Sequence, residues 1–411
     1  MTAEYGRTYK ICCLANFLQA IGVVFPLLLI PLKTLYGLTY TQYGVLVVLN
    51  FSFQLASDIG FSSLVDRFGF RFFAVIAPIF SSLGLLLFAM APILFPHQIF
   101  FGLALGIVVY AIAGGLQELL LSPIVDAIPF EEKLKARKMS LLHSFFAWGQ
   151  LFIIPVFSIS LQIFGMERWN VILLGLATLP LISSLLFCFA PLHEKYKEGE
   201  RMGIRGLIQA RAFQICVLAI ILGGATEVTM AQWASAFLDR ALDLPKQIGD
   251  IAGVCGFAFF LALGRTLYGL FGGRFSIHNA MIVGSALSVC TYLTAAMTHS
   301  ALIGLLACAL TGFTVSLLWP GSITVASRLL PAAGSSLFAL MSASGDIGAS
   351  LGSLVMGKVA DFVALHTQTS IGLSGERFGL KVALGVSAVF PLMALFIHIL
   401  LKKQRTKTLG I

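Results

Sequence analysis

The sequence predicts an all-α integral membrane protein whose twelve transmembrane helices fall into two groups of six. Three observations carry this. The chain has 411 residues, of which 58% are hydrophobic and 11% charged, and its mean hydropathy is +0.94. Soluble globular domains carry roughly 25% charged residues, so a chain this long has too little polar surface to cover itself in water. That excludes a soluble enzyme, a nucleic-acid-binding domain and a disordered scaffold. Twelve apolar stretches each reach about 20 residues, the length that crosses a bilayer as a helix. The most polar stretch, residues 193–205 (His193 to Arg205), lies between the sixth and the seventh of them.

The spans of the first half are expected over 9–32, 41–65, 72–94, 99–126, 139–164 and 169–190. Those of the second half are expected over 213–238, 247–271, 278–298, 300–328, 335–362 and 378–401. Each is apolar around its whole circumference, which excludes a porin-type barrel built from strands of alternating polarity. The division that follows is an N-terminal six-helix bundle over 1–192, a cytoplasmic loop over 193–212 and a C-terminal six-helix bundle over 213–411. The first ten residues run into the first span with no small-residue cleavage site, so that span is expected to be retained.

Orientation follows from the basic residues. With a cytoplasmic N-terminus, nineteen of the 27 Lys and Arg fall on inner segments and six on outer ones. Such a bias places both termini in the cytoplasm. It also accounts for the net charge of +9 without nucleic acid. Short loops point to the cytoplasmic (inner) membrane of a bacterium. The seven cysteines all lie in apolar stretches and lack the spacing of a metal site or a disulfide framework. No cofactor is expected, and a monomer is.

Many of the 40 glycines lie inside spans, among them Gly102, Gly106, Gly114 and Gly115 in the fourth and Gly345, Gly348, Gly352 and Gly357 in the eleventh. Small residues let helices approach closely in a bilayer. A channel or a receptor would use them equally well.

After the second span comes Asp66-Arg67-Phe68-Gly69-Phe70-Arg71. This resembles the Asp-Arg-x-Gly-x-Arg loop of the major facilitator superfamily, which lies between the second and third helices. The six-plus-six layout agrees over essentially the whole chain, and Gly272-Gly273-Arg274 after the eighth span is a degenerate echo. The resemblance implies a secondary transporter that rocks two six-helix bundles around a central site. It also implies a gate role for Asp66, Arg67 and Arg71, with an ordinary solvated turn as the lesser alternative.

A finer resemblance rests on Gly114-Gly115-Leu116-Gln117-Glu118, on Ser122-Pro123 and on the run from Leu142 to Gly149. These are similar to the fucose–galactose–glucose:proton symporter branch, whose glycine-rich fourth helix carries a membrane glutamate. Phe146 stands where that branch has an asparagine, so only Glu118 is carried over, as a proton or substrate carboxylate. The fifth span has Gly149 and Pro155 but lacks the Gly-Pro-x-x-Gly-Gly element common among antiporters of the superfamily.

An ionisable side chain at the bilayer centre costs on the order of 2.5–3.5 kcal/mol, so each one is a functional candidate. Glu118, Glu227 and Asp346 are the candidate proton-coupling residues. Glu227 follows Gly223 and Gly224 near the middle of the seventh span, and Asp346 is flanked by small residues in the eleventh. A structural hydrogen bond to a neighbouring helix is the competing role for all three. Asp58 and Arg265 lie towards the cytoplasmic ends of the second and eighth spans, where a gate or a pairing between helices is expected. His143 suits either a proton relay or a structural hydrogen bond.

Trp148, Trp233 and Trp319 fall inside spans, near Asn16, Gln19, Gln150 and Gln232. Indoles with a few amides make a cavity wall suited to sugars, and nearly as well to aromatic or cationic solutes. Asn16 and Gln19, three apart, share a helix face. Ordinary helix packing explains each of these residues equally well. Trp169 is expected at a membrane–water interface.

The sequence has no Gly-x-x-x-x-Gly-Lys-Ser/Thr loop for ATP, and no His-Glu-x-x-His or Cys-x-x-Cys pair for a metal. An enzyme is therefore not expected. Three functional readings stand. The first is proton-coupled uptake of a small polar solute such as a sugar, with sodium as the alternative ion. The second is proton-coupled efflux of cationic or amphipathic compounds, and the third a transporter-like receptor or interaction protein.

Overall fold

A computed structural model describes residues 3–38, 40–192, 204–245, 248–366 and 375–408, and among these there are helices and turns but no strands. Ten helices are long and apolar enough to cross a membrane. Two helical segments precede them and complete twelve. We number these α1 (3–36), α2 (Tyr40–Phe68), α3 (Phe70–Leu94), α4 (Ile99–Ala127), α5 (Glu132–Phe164) and α6 (Met166–Cys188). The second half comprises α7 (Arg211–Leu242), α8 (249–271), α9 (Ile277–Met297), α10 (Ala301–Leu329), α11 (Gly334–His366) and α12 (375–408).

The spans lie where the apolar stretches put them, with local differences. Helix α5 begins at Glu132 rather than 139, and α11 runs on to His366. The charged run 132–138 carries α5 beyond its hydrophobic window, and residues 363–366 add one more turn to α11. Much of the 193–212 loop lies outside the described residues, but Ile204–Gln209 forms a short helix that buries Leu207.

Four spans are interrupted, and each interruption has a proline just beyond it. Helix α1 breaks at Leu28 before Pro31, α6 at 178–179 before Pro180, α10 at 316–317 before Pro320, and α12 at Ala388 before Pro391. A proline has no N–H for the carbonyl four residues earlier, and its ring crowds that carbonyl. By contrast, Pro78, Pro123 and Pro155 are carried inside helices assigned as continuous.

By contacts the chain resolves into two compact units. One consists of Met1–Phe130, Phe145–Met202 and Ala332–Ala343, the other of Glu131–Ser144, Gly203–Pro331 and Ser344–Ile411. In the first, α3 and α4 approach until their backbones nearly touch. A Cβ at Gly84 would lie 2.5 Å from the Tyr110 amide nitrogen, and one at Gly106 would lie 2.5 Å from that of Phe88. Gly115 meets the Gln54 carbonyl of α2 in the same way, and Gly149 of α5 meets the Phe17 carbonyl of α1. Trp169 is fully enclosed, with its indole Nε1 3.3 Å from the Tyr36 hydroxyl and its ring edge-on to Phe88. It is a core residue at the start of α6, because that end of the helix packs inward against α1 and α3. In the second unit Gly348 and Gly352 of α11 lie on the backbone of α7 at Ile221 and Ala225, and Gly312 of α10 lies on the Phe257 carbonyl of α8.

Gly69 closes the α2–α3 turn with φ +81. Few side chains adopt that backbone region, so the glycine of the Asp-Arg-x-Gly-x-Arg run is a geometric requirement of the turn.

Candidate functional site

In the first unit α2 and α4 bring polar side chains together where Gly115 lets the helices touch. Gln54 donates from Nε2 to Oε2 of Glu118 at 3.0 Å. Ser342, at the start of α11, is a second hydrogen-bonding neighbour of that carboxyl. Asp58, one turn beyond Gln54 on α2, is fully buried, and its carboxylate approaches that of Glu118 to within 4.8 Å. The framework around them is polar as well. Ser57 donates to the Ile112 carbonyl at 2.8 Å, and Gln117 to Ser81 Oγ at 2.9 Å. Gln54 and Ser342 were not anticipated. Gln54 could have been, since it shares a helix face with Asp58 at a spacing of four.

The second unit has a carboxylate of different surroundings. Arg265 of α8 donates from Nη2 to Oε1 and Oε2 of Glu227 on α7, at 2.8 and 2.9 Å. Its Nε donates to the Ser316 carbonyl at 2.9 Å, where α10 is interrupted, and its Nη1 to the His143 carbonyl of α5 at 3.3 Å. Ser140 donates to the Arg265 carbonyl at 2.8 Å. The proline break thus has a second consequence: α10 leaves a carbonyl without a helical partner, and the guanidinium takes it up. Next to Glu227, the buried Tyr292 hydroxyl donates to the Thr226 carbonyl at 2.6 Å. Arg265 and Glu227, read separately as gate and coupling residues, are therefore one ion pair.

The remaining candidates lie on α1, α5, α7, α10 and α11. Asn16 is buried on α1, and Gln19 donates to the Gly114 carbonyl of α4 at 3.2 Å, while its own carbonyl accepts from Tyr110. Trp148 and Gln150 are half-buried on α5. Gln232 is exposed and accepts from Ser353 at 2.5 Å. Trp233 packs beside Gly357, and Trp319 fills the space between Gly345 and Gly224, where a Cβ on Gly345 would lie 2.3 Å from the indole. Asp346 is half-buried on α11.

In the α2–α3 turn the side chain of Asp66 lies outside the described residues. Arg67 is exposed, with its guanidinium over the Phe68 ring at 5.6 Å. Arg71 reaches the end of α6, donating to the carbonyls of Phe187 (3.4 Å), Cys188 (2.8 Å) and Ala190 (2.9 Å). Arg137 of α5, unremarked in the sequence, does the same at the end of α8. Its Nε donates to the Gly269 carbonyl at 3.1 Å and its Nη2 to that of Leu270.

Twelve helices with polar and charged groups set between them define a polytopic transporter, and comparison with known proteins agrees. The family model described as Major Facilitator Superfamily matches residues 12–353, and this chain belongs to that family. No curated protein sequence matches it. Among solved structures, a proton:xylose symporter bound to 6-bromo-6-deoxy-D-glucose superposes with a TM-score of 0.81 at 13% identity, covering 96% of this chain and 95% of that one. A transporter called FucP in its outward conformation gives 0.74 at 15% identity over 95% and 99%; FucP is also described as the fucose:proton symporter of E. coli. A human organic anion transporter, MFSD10, gives 0.73 at 14% over 96% and 99%.

Proposed function

We propose that this protein takes up a small polar solute of the sugar class together with protons, by alternating access. The six-helix halves 1–192 and 213–411, joined through 193–212, are the bodies that rock, and the setting is the cytoplasmic membrane of a bacterium with both termini inside. The observation that carries the reading is the ion pair of Glu227 with Arg265. A proton placed on Glu227 removes the charge that holds the guanidinium. Arg265 then keeps only its bonds to the Ser316 and His143 carbonyls, so proton binding bears directly on the contacts of three helices.

Glu118 is the second proposed proton site. With Asp58 close by, a proton on either of the two carboxyls relieves their mutual repulsion. A small polar solute with hydroxyl groups would complement the amide-bearing faces of α1, α5 and α7, at Asn16, Gln19, Gln150 and Gln232. Trp148, Trp233 and Trp319 would offer apolar surface, and Asp346 a further carboxyl. Arg67, Arg71 and Asp66 are proposed as gate residues at the cytoplasmic turn. The sugar:proton symporters among the structural neighbours support the substrate class by likeness of fold alone.

The test is external pH in a lightly buffered suspension of de-energised cells making the protein, with pooled sugars added. Alkalinisation that is lost in both Glu118→Gln and Glu227→Gln, while each variant still reaches the membrane, is the expected result. Alkalinisation that survives in both variants would sink the assignment of these carboxylates. Acidification during entry of pooled amphipathic cations would favour efflux by exchange, and a response that requires sodium would change the ion.

A further inference from the structure

The second unit carries a groove of 450 Å³ on α8, α9 and α10, whose lining includes Ser316, the residue that also accepts from Arg265. Its volume falls in the range of small-molecule sites, about 300–1,000 Å³. The walls are made by Tyr268, Phe271, Phe275, Val283, Leu287 and Phe313. All but Tyr268 are exposed, on helices that would face hydrocarbon. Its floor is low because Gly264 and Gly284, also lining residues, sit against Ser316 and the Thr314 carbonyl. At one end lies the α8–α9 turn, 272–276, which is where these two spans leave the membrane.

That end is basic. Arg274 is exposed in the turn and makes no hydrogen bond or ion pair among the described residues. The Arg137 guanidinium lies against Gly273 and donates to the Gly269 and Leu270 carbonyls, with no ion pair to a carboxylate among the described residues. Tyr268 lies within electrostatic reach of both Arg137 and Arg328. An apolar trough closed at an interface by the Arg274 and Arg137 guanidinium groups is complementary to a molecule with a hydrocarbon tail and an anionic head. Guanidinium groups pair well with phosphate oxygens.

We propose that this groove binds an anionic glycerophospholipid, one acyl chain lying along α8–α10 and the phosphate held by Arg274 and Arg137. A zwitterionic lipid would bring its own cation to the same arginines and bind less well. Its occupancy makes lipid composition a determinant of this unit's stability.

The experiment is native mass spectrometry of the full-length protein in detergent. Phosphatidylglycerol and phosphatidylcholine of the same chains are each titrated, with and without inorganic phosphate. The expected result is retention of phosphatidylglycerol on a single copy in preference to phosphatidylcholine, with no displacement by inorganic phosphate. Arg274→Ala should weaken retention about fivefold, the worth of one basic residue at an anionic surface. Ala280→Trp, which fills the trough, should abolish it. Arg274→Ala alters only an exposed turn and keeps the test valid if the tryptophan variant fails to fold. Equal retention of the two lipids, undiminished retention in Arg274→Ala, displacement by inorganic phosphate, or a lipid-free dimer that excludes phosphatidylglycerol would each overturn the proposal.

Discussion

Arg265 and Glu227 form a buried ion pair inside the second unit, the arginine side chain 4% exposed and the glutamate 13%. The same guanidinium also bonds to carbonyls of α5 and α10, so one side chain holds three partners. Removing one member of such a pair leaves an uncompensated charge, which costs about 3–5 kcal/mol. Thermal unfolding in detergent should therefore show Arg265→Met and Glu227→Gln each clearly destabilised, with the double variant recovering most of the loss. Equal stability of all four proteins would mean that the pair contributes nothing structurally.

Gly348 makes the sharpest packing test. A Cβ there would lie 2.0 Å from the Ile221 carbonyl, whereas one at Gly175 would meet nothing within 4 Å. Gly348→Ala should destabilise by about 1–3 kcal/mol through forced separation of α7 and α11. Gly175→Ala should be neutral or slightly stabilising, since alanine is the better helix former. The two melting temperatures, measured side by side, check both.

Trp319 separates packing from recognition. If the indole serves chiefly to fill the space between Gly224 and Gly345, Trp319→Ala should cost about 3–5 kcal/mol. Trp319→Phe should recover much of that stability, whatever it does to solute uptake. A Trp319→Ala protein that melts normally but no longer takes up solute would place the indole in the substrate cavity instead.

Arg71 caps three carbonyls at the end of α6. Arg71→Ala should lower stability by about 1 kcal/mol, within the range measured for net hydrogen-bond contributions. Lysine, a point charge without the planar fork, should restore only part of it. Full recovery in Arg71→Lys would show that charge rather than fork geometry matters at this helix end.

The class of fold was legible because it rests on bulk chemistry. A chain with 11% charge and twelve apolar stretches has one setting that satisfies its backbone, and the span positions follow from hydropathy. The prolines were visible too, but Pro78, Pro123 and Pro155 stay inside continuous helices while α1, α6, α10 and α12 break, so the residue alone left the breaks open. Candidate residues were legible as types: a carboxylate or guanidinium inside a span is costly wherever it points.

Partners were not legible. That Glu118 meets Gln54 and Glu227 meets Arg265 depends on the rotation of each helix about its axis, and on contacts between residues 64 and 38 positions apart. Hydropathy that is apolar all round leaves that rotation open. Trp169 shows the same limit, since its position at the start of α6 did not reveal that its indole is enclosed by the protein. The sequence by itself determined the solvent, the spans and the set of charged groups within them. Only the tertiary structure decided which of those groups neutralise one another, because pairing is settled where glycines let backbones touch and bring distant side chains within hydrogen-bonding distance.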